Sequence, residues 1–225
     1  MQNKISRLVV SSDVLSSIQE TVEQTPEGIE TGVTLFGVRG DSGFTALSVV
    51  GPGPKSIHTP GFHEPDVRHL NDEYERLRQT WPRLEWIGSL HVHPFGMPQL
   101  SGHDRNTVDS LFSYPSLRLT EFVAGIIQRR ARRLAIYPYV ISSDDRSPWL
   151  MPLEIVSPES SVWLEAELRA KQWDRYDEIR SSLTAASRPR RIRRLIYRCV
   201  QFLALIRRTR DRLCGQTKAR KEFHE

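Results

Sequence analysis

From Leu84 to His93 the chain reads Leu-Glu-Trp-Ile-Gly-Ser-Leu-His-Val-His, and Pro94 follows at once. Little charge interrupts this run, and proline cannot donate to a ladder, so the segment predicts a sheet strand ending at its histidines. Side chains alternate faces along a strand, which puts His91 and His93 on one side and Val92 on the other. Ser101-Gly102-His103-Asp104 then has the pattern of a helix start, with Ser101 as N-cap and Asp104 at N3. Two imidazoles and a carboxylate offered by this strand and helix make a three-ligand set. Zinc accepts both donor types, and three protein ligands leave its fourth position for water. His91, His93 and Asp104 are therefore the candidate ligands, and a water-activating hydrolase is the leading function. The plain alternative is a surface or core histidine pair beside an ordinary capping box.

Water activation also calls for a base. Glu30 precedes the strongly apolar segment Val33 to Val38 and can point across a sheet toward the metal to take the proton. A charged residue at a strand entrance is the ordinary reading of the same position.

These pieces resemble the JAMM/MPN+ (JAB domain) zinc metalloproteases. The likeness rests on Glu30 in Glu-Thr-Gly before an apolar strand ending in Gly37, and on His91-Val92-His93-Pro94. A short spacer from Phe95 to Leu100 and then Ser101-Gly102-His103-Asp104 complete it. The Trp86-Ile87-Gly88 lead is similar to that of many bacterial members. The resemblance covers residues 1–160. It implies an α/β fold, a mixed sheet flanked by helices. It also implies Zn²⁺ on His91, His93 and Asp104, Glu30 as general base and proton donor, and Ser101 hydrogen-bonding the oxyanion. Val92 departs from the family, which usually carries Ser or Thr there; facing the core, valine leaves the chemistry intact.

The implied reaction is cleavage of a ubiquitin-like protein from its conjugate, or trimming of a precursor tail. Bacterial relatives of this kind occur beside ubiquitin-like, E1-like and E2-like proteins, often in anti-phage defence. Two other classes stay open. One is a non-catalytic MPN-type scaffold or binding module, although such relatives typically lose ligands that this chain keeps. The other is a RadC-like nucleic-acid-associated protein, which shares the two motifs and finds its independent support in the basic tail.

That tail is distinctive. Residues 181–225 hold 13 Lys/Arg against 3 Asp/Glu, whereas residues 1–180 hold 19 against 24. Basicity confined to one end argues against nucleic-acid binding by the remainder. The predicted division is a catalytic domain over residues 1–158 and a basic helical C-terminal extension over residues 159–225. With 38% hydrophobic residues in 225, one core and an extension are within reach. Cys199 and Cys214 are the only cysteines and lie apart from the histidines, so no disulfide framework is expected. No run nears the ~20 apolar residues of a membrane span, and the first residues lack the apolar core of a signal peptide. The expected location is cytoplasmic.

Along the chain, strands are predicted at 4–10, 33–38, 44–50, 84–93, 121–128, 131–141 and 150–156. Helices are predicted at 13–23, 66–80, 104–112, 162–183 and 192–213. Residues 55–65 read as a Pro/Gly-rich loop whose His58 and His63 are surface residues rather than ligands. The last helix carries Leu195, Ile196, Cys199, Val200, Leu203 and Ile206 opposite an Arg-rich face. It suits packing within the fold or a homodimer, and less well an anionic membrane surface.

Overall fold

The computed structural model describes residues 7–40, 42–93, 98–115, 117–130 and 133–171. The second predicted tail helix and its dimer role lie outside these residues. In chain order the elements are β1 (Arg7–Ser11), α1 (Ser12–Glu23), β2 (Gly32–Gly40), β3 (Gly43–Val50), β4 (Ile57–Thr59) and β5 (Phe62–Glu64). They continue with α2 (Val67–Thr80), β6 (Glu85–Val92), α3 (Gly102–Phe112), β7 (Glu121–Arg130) and β8 (Arg133–Ser142). The described chain closes with β9 (Trp149–Leu150), β10 (Leu153–Val156) and α4 (Ser161–Lys171). The described residues form an α/β fold, a mixed sheet flanked by four helices.

The main sheet has the order β10-β1-β3-β2-β6-β7-β8-β9. β1 runs parallel to both β10 and β3, and β6 runs parallel to β7; β2 is antiparallel to β3 and to β6. β2 and β6 occupy the middle. Val33, Leu35, Phe36 and Val38 of β2 are all buried, on both faces, which is why the sequence there is continuously apolar rather than alternating. The sheet is strongly curled. Met151 and Pro152 alone join β9 to β10, at opposite ends of the strand order. Three residue steps reach about 11 Å, whereas the edges of a flat eight-stranded sheet lie roughly 34 Å apart.

Helices cover this sheet through short apolar stripes. Val14, Ile18 and Val22 of α1 are buried, and the Ser11 hydroxyl accepts the Val14 N–H as the N-cap, an interaction worth ~1 kcal/mol. α2 starts after Asp66, which caps Arg68 and His69, and buries Leu70 and Leu77 while Tyr74 stacks on Phe36 at 5.1 Å. In α4, Trp163, Ala166 and Ala170 join the same core, packed on β2 and β3. No described helix is long and apolar enough to cross a membrane.

Three expectations change. The segment predicted as one strand at 150–156 is two, because Met151 turns inward (3% exposed) and donates its N–H to Pro138 O, while Pro152 O accepts from Leu8. The turn expected at Arg129-Arg130 is not there, since β7 continues through both residues and Arg130 still pairs with Arg133. Arg129 instead donates to Val22 O and Thr25 O at 2.7 and 2.6 Å, closing the C-terminal end of α1. Finally, residues 57–64 form an antiparallel hairpin, with His58 paired to His63, rather than a structureless loop.

Candidate metal centre

β6 brings His91 to the middle of the sheet, and His93 follows directly after the strand end. His91 pairs with Gly32 on one side and Ile126 on the other. The Val92 N–H donates to Thr31 O at 2.8 Å and the His93 N–H to Ile127 O at 3.2 Å, so both neighbouring strands hold the strand end. Val92 is 1% exposed and belongs to the core, as the alternation requires. The next helix, α3, leads from β6 to its parallel neighbour β7. Its N-terminus therefore opens beside the strand end, where α/β proteins commonly place ligands.

Ser101 caps α3 through a complete capping box. Its Oγ accepts the Asp104 N–H at 3.2 Å, and Asp104 Oδ2 accepts the Ser101 N–H at 2.7 Å. The box fixes the Asp104 carboxylate against both imidazoles. His91 Nε2 lies 3.3 Å from Asp104 Oδ1, and His93 Nε2 lies 3.5 Å from Oδ2. The two Nε2 atoms are 2.8 Å apart. Two ligands held about 2.0–2.1 Å from one tetrahedral ion stand roughly 3.3–3.4 Å from each other. The two His–Asp separations match this spacing, the two imidazole nitrogens would have to part by about 0.5 Å, and His91, His93 and Asp104 together can hold a small divalent cation. Burial alone would raise the Asp104 carboxyl, but hydrogen bonds with His91 and His93 outweigh it and hold the group well below the usual carboxylate range.

Glu30 stands just before β2. Its titration is raised above the ordinary value by burial, opposed by His91 and His93 and reinforced by Asp104, so its carboxylate lies within electrostatic reach of all three. Of the five residues picked from sequence, three meet directly, Ser101 is hydrogen-bonded to one of them, and Glu30 feels all three electrostatically.

Sequence reading missed the β4–β5 hairpin. His63 is partly buried, not a surface residue: its ring stacks on His91 with centroids 6.1 Å apart and on His58 at 6.4 Å. Burial, His91 and His58 push its pKa down to about 3, so it packs as a neutral ring. Room for it comes from Gly32. A Cβ at that position would sit 2.6 Å from His63 Nε2 and 2.8 Å from Leu90 O. His58 is likewise partly buried and bonded at both ring nitrogens. The available signal was the Pro60-Gly61 dipeptide, a turn former flanked symmetrically by His58-Thr59 and Phe62-His63.

Neither family models nor curated proteins give a match to this sequence. Among solved structures, the chain is similar to the solution structure of protein DSY2949 from Desulfitobacterium hafniense. The TM-score is 0.51 at 14% identity, with 67% of this chain and 93% of that one covered. At this identity the likeness is one of fold.

Proposed function

We propose that this chain is a zinc-dependent peptidase or isopeptidase of the JAMM/MPN+ type, acting on ubiquitin-like conjugates or precursor tails. The observation that carries the reading is the convergence of His91, His93 and Asp104 with their ligand atoms within 4.8 Å of one another. A zinc ion bound there would supply a water of lowered pKa and polarise the scissile carbonyl. The chain's own residues do the rest. Glu30 takes the proton from the attacking water and passes it to the leaving amine; its raised pKa suits a group that must both accept and return a proton. Ser101 Oγ acts as acceptor in the cap, so the cap does not consume its hydrogen, which can be donated to the oxyanion. The His-x-His-Pro and Ser-x-x-Asp spacing and the Glu-Thr-Gly before β2 support the assignment to this family. The substrate class follows from the family resemblance, as do E1-like and E2-like partners and a role in bacterial defence.

The test is incubation of the purified full chain with ubiquitin-like fusions, with and without chelator, beside metal analysis. Zinc near one per chain and chelator-sensitive cleavage of the fusion are expected. Near-zero zinc after purification with added metal would refute the reading.

A further inference from the structure

We infer that His58 is a positioning residue for Glu30, holding its main chain from the β4–β5 hairpin. Its catalytic consequence rests on the function proposed above; the contact itself does not. β4 brackets Glu30 on both sides of the residue. The Glu30 N–H donates to Thr59 O at 3.0 Å, and the Glu30 carbonyl lies 2.9 Å from His58 Nδ1. A carbonyl only accepts, so Nδ1 must carry the hydrogen. The other ring nitrogen, Nε2, lies 2.7 Å from Ser56 Oγ, whose hydroxyl donates to Gly53 O at 2.6 Å. The imidazole is therefore a strut between the loop before β4 and the residue that bears the candidate base. Behind it His63 stacks on both His58 and His91, so the hairpin that sets Glu30 also rests on a ligand ring.

Glu30 needs such a strut because β2 begins only at Gly32, leaving Glu30 outside the main ladder. The side chain that moves the proton must nevertheless be placed to a fraction of an ångström. A misplacement of about 1 Å costs on the order of 10²-fold in rate.

Three variants separate this role from simple packing. Asn carries an amide at the position of Nδ1, Gln carries one at the position of Nε2, and Ala carries neither. The full chain is loaded with zinc and labelled with ¹⁵N-histidine. Long-range proton–nitrogen spectra are expected to show His58 protonated at Nδ1. Amide exchange of Glu30 should quicken in His58→Ala and His58→Gln and return toward wild type in His58→Asn. Zinc content should stay the same in all three. On a ubiquitin-like fusion, kcat is expected to fall roughly 10²-fold in the Ala and Gln variants, with KM little changed, and Asn should restore it. A His58 carrying hydrogen at Nε2 alone overturns the inference. So does His58→Asn that behaves as Ala in exchange, or His58→Ala with wild-type exchange. If His58→Ala does not fold, the wild-type tautomer and the Asn–Gln contrast still decide. If zinc-loaded wild type cleaves no fusion, the functional reading fails, while tautomer and exchange still judge the contact.

Discussion

The candidate metal-binding histidines and the hairpin histidines sit in scaffolds of opposite kind. His91 lies in an eight-stranded sheet with partners on both sides, and Asp104 in a helix whose first turn is closed by a reciprocal cap. His58 and His63 lie in two strands of three residues each that pair only with one another. An isolated two-stranded hairpin is marginal in water, so this one depends on the Thr59 carbonyl and His58 contacts to Glu30 and on packing against Gly32. The ligand set is held by a central strand and a reciprocally capped helix turn, whereas the candidate base is held by one main-chain bond and the His58 side chain of a small accessory element. Metal affinity should therefore be robust to changes in the hairpin, and turnover should not.

The sharpest way to break that contrast is at Asp104. Asp104→Asn can still accept the Ser101 N–H, so α3 should remain capped while the metal is lost. Zinc content and chelator-sensitive cleavage should both fall to background, with the circular dichroism of the chain unchanged. Retained stoichiometric zinc would remove Asp104 from the ligand set.

Glu30→Gln is the counterpart on the other side. Zinc should stay near one per chain while kcat drops on the order of 10²–10⁴-fold. Wild-type turnover in this variant would mean that the base lies elsewhere.

Ser101 joins structure and chemistry in one side chain. Ser101→Ala should lower stability by ~1 kcal/mol through the lost cap. It should lower kcat by about 10²–10³-fold through the lost oxyanion donor. Denaturant titration and single-turnover rates measured on the same preparation separate the two; a stability loss with unchanged kcat would leave only the cap.

Gly32 is where the two regions touch, and it should give the smallest effect on metal. A methyl group there meets the His63 ring and the Leu90 carbonyl, and overpacking of this kind costs roughly 1–3 kcal/mol. His63 is the softer neighbour, so the hairpin should shift before β6 does. Gly32→Ala is expected to lose stability and speed Glu30 amide exchange, yet keep zinc. Loss of zinc with an undisturbed hairpin would reverse the comparison.

Much of this could be read along the chain because the relevant rules are local. Alternation put His91 and His93 on one face and Val92 in the core, and the cap signature put Asp104 in the first turn of α3. Continuous apolarity marked β2 as a strand, and the sheet order then placed it in the middle. Short elements escaped. Three-residue strands carry too few positions for a period to register, and β9 and β10 share one apolar run that only their different neighbours divide.

The sequence by itself determined the donor set, the strand and helix that carry it, and the order of the main elements. Each of these depends on residues within a few positions of one another. Only the tertiary structure decided that Gly32 faces His91, that the hairpin folds over that glycine, and that His58 reaches the Glu30 carbonyl. It likewise decided that the sheet curls until its two edges are joined by Met151 and Pro152. Such contacts join segments tens of residues apart, and a residue's type does not say which distant neighbour its side chain will meet once the core has closed.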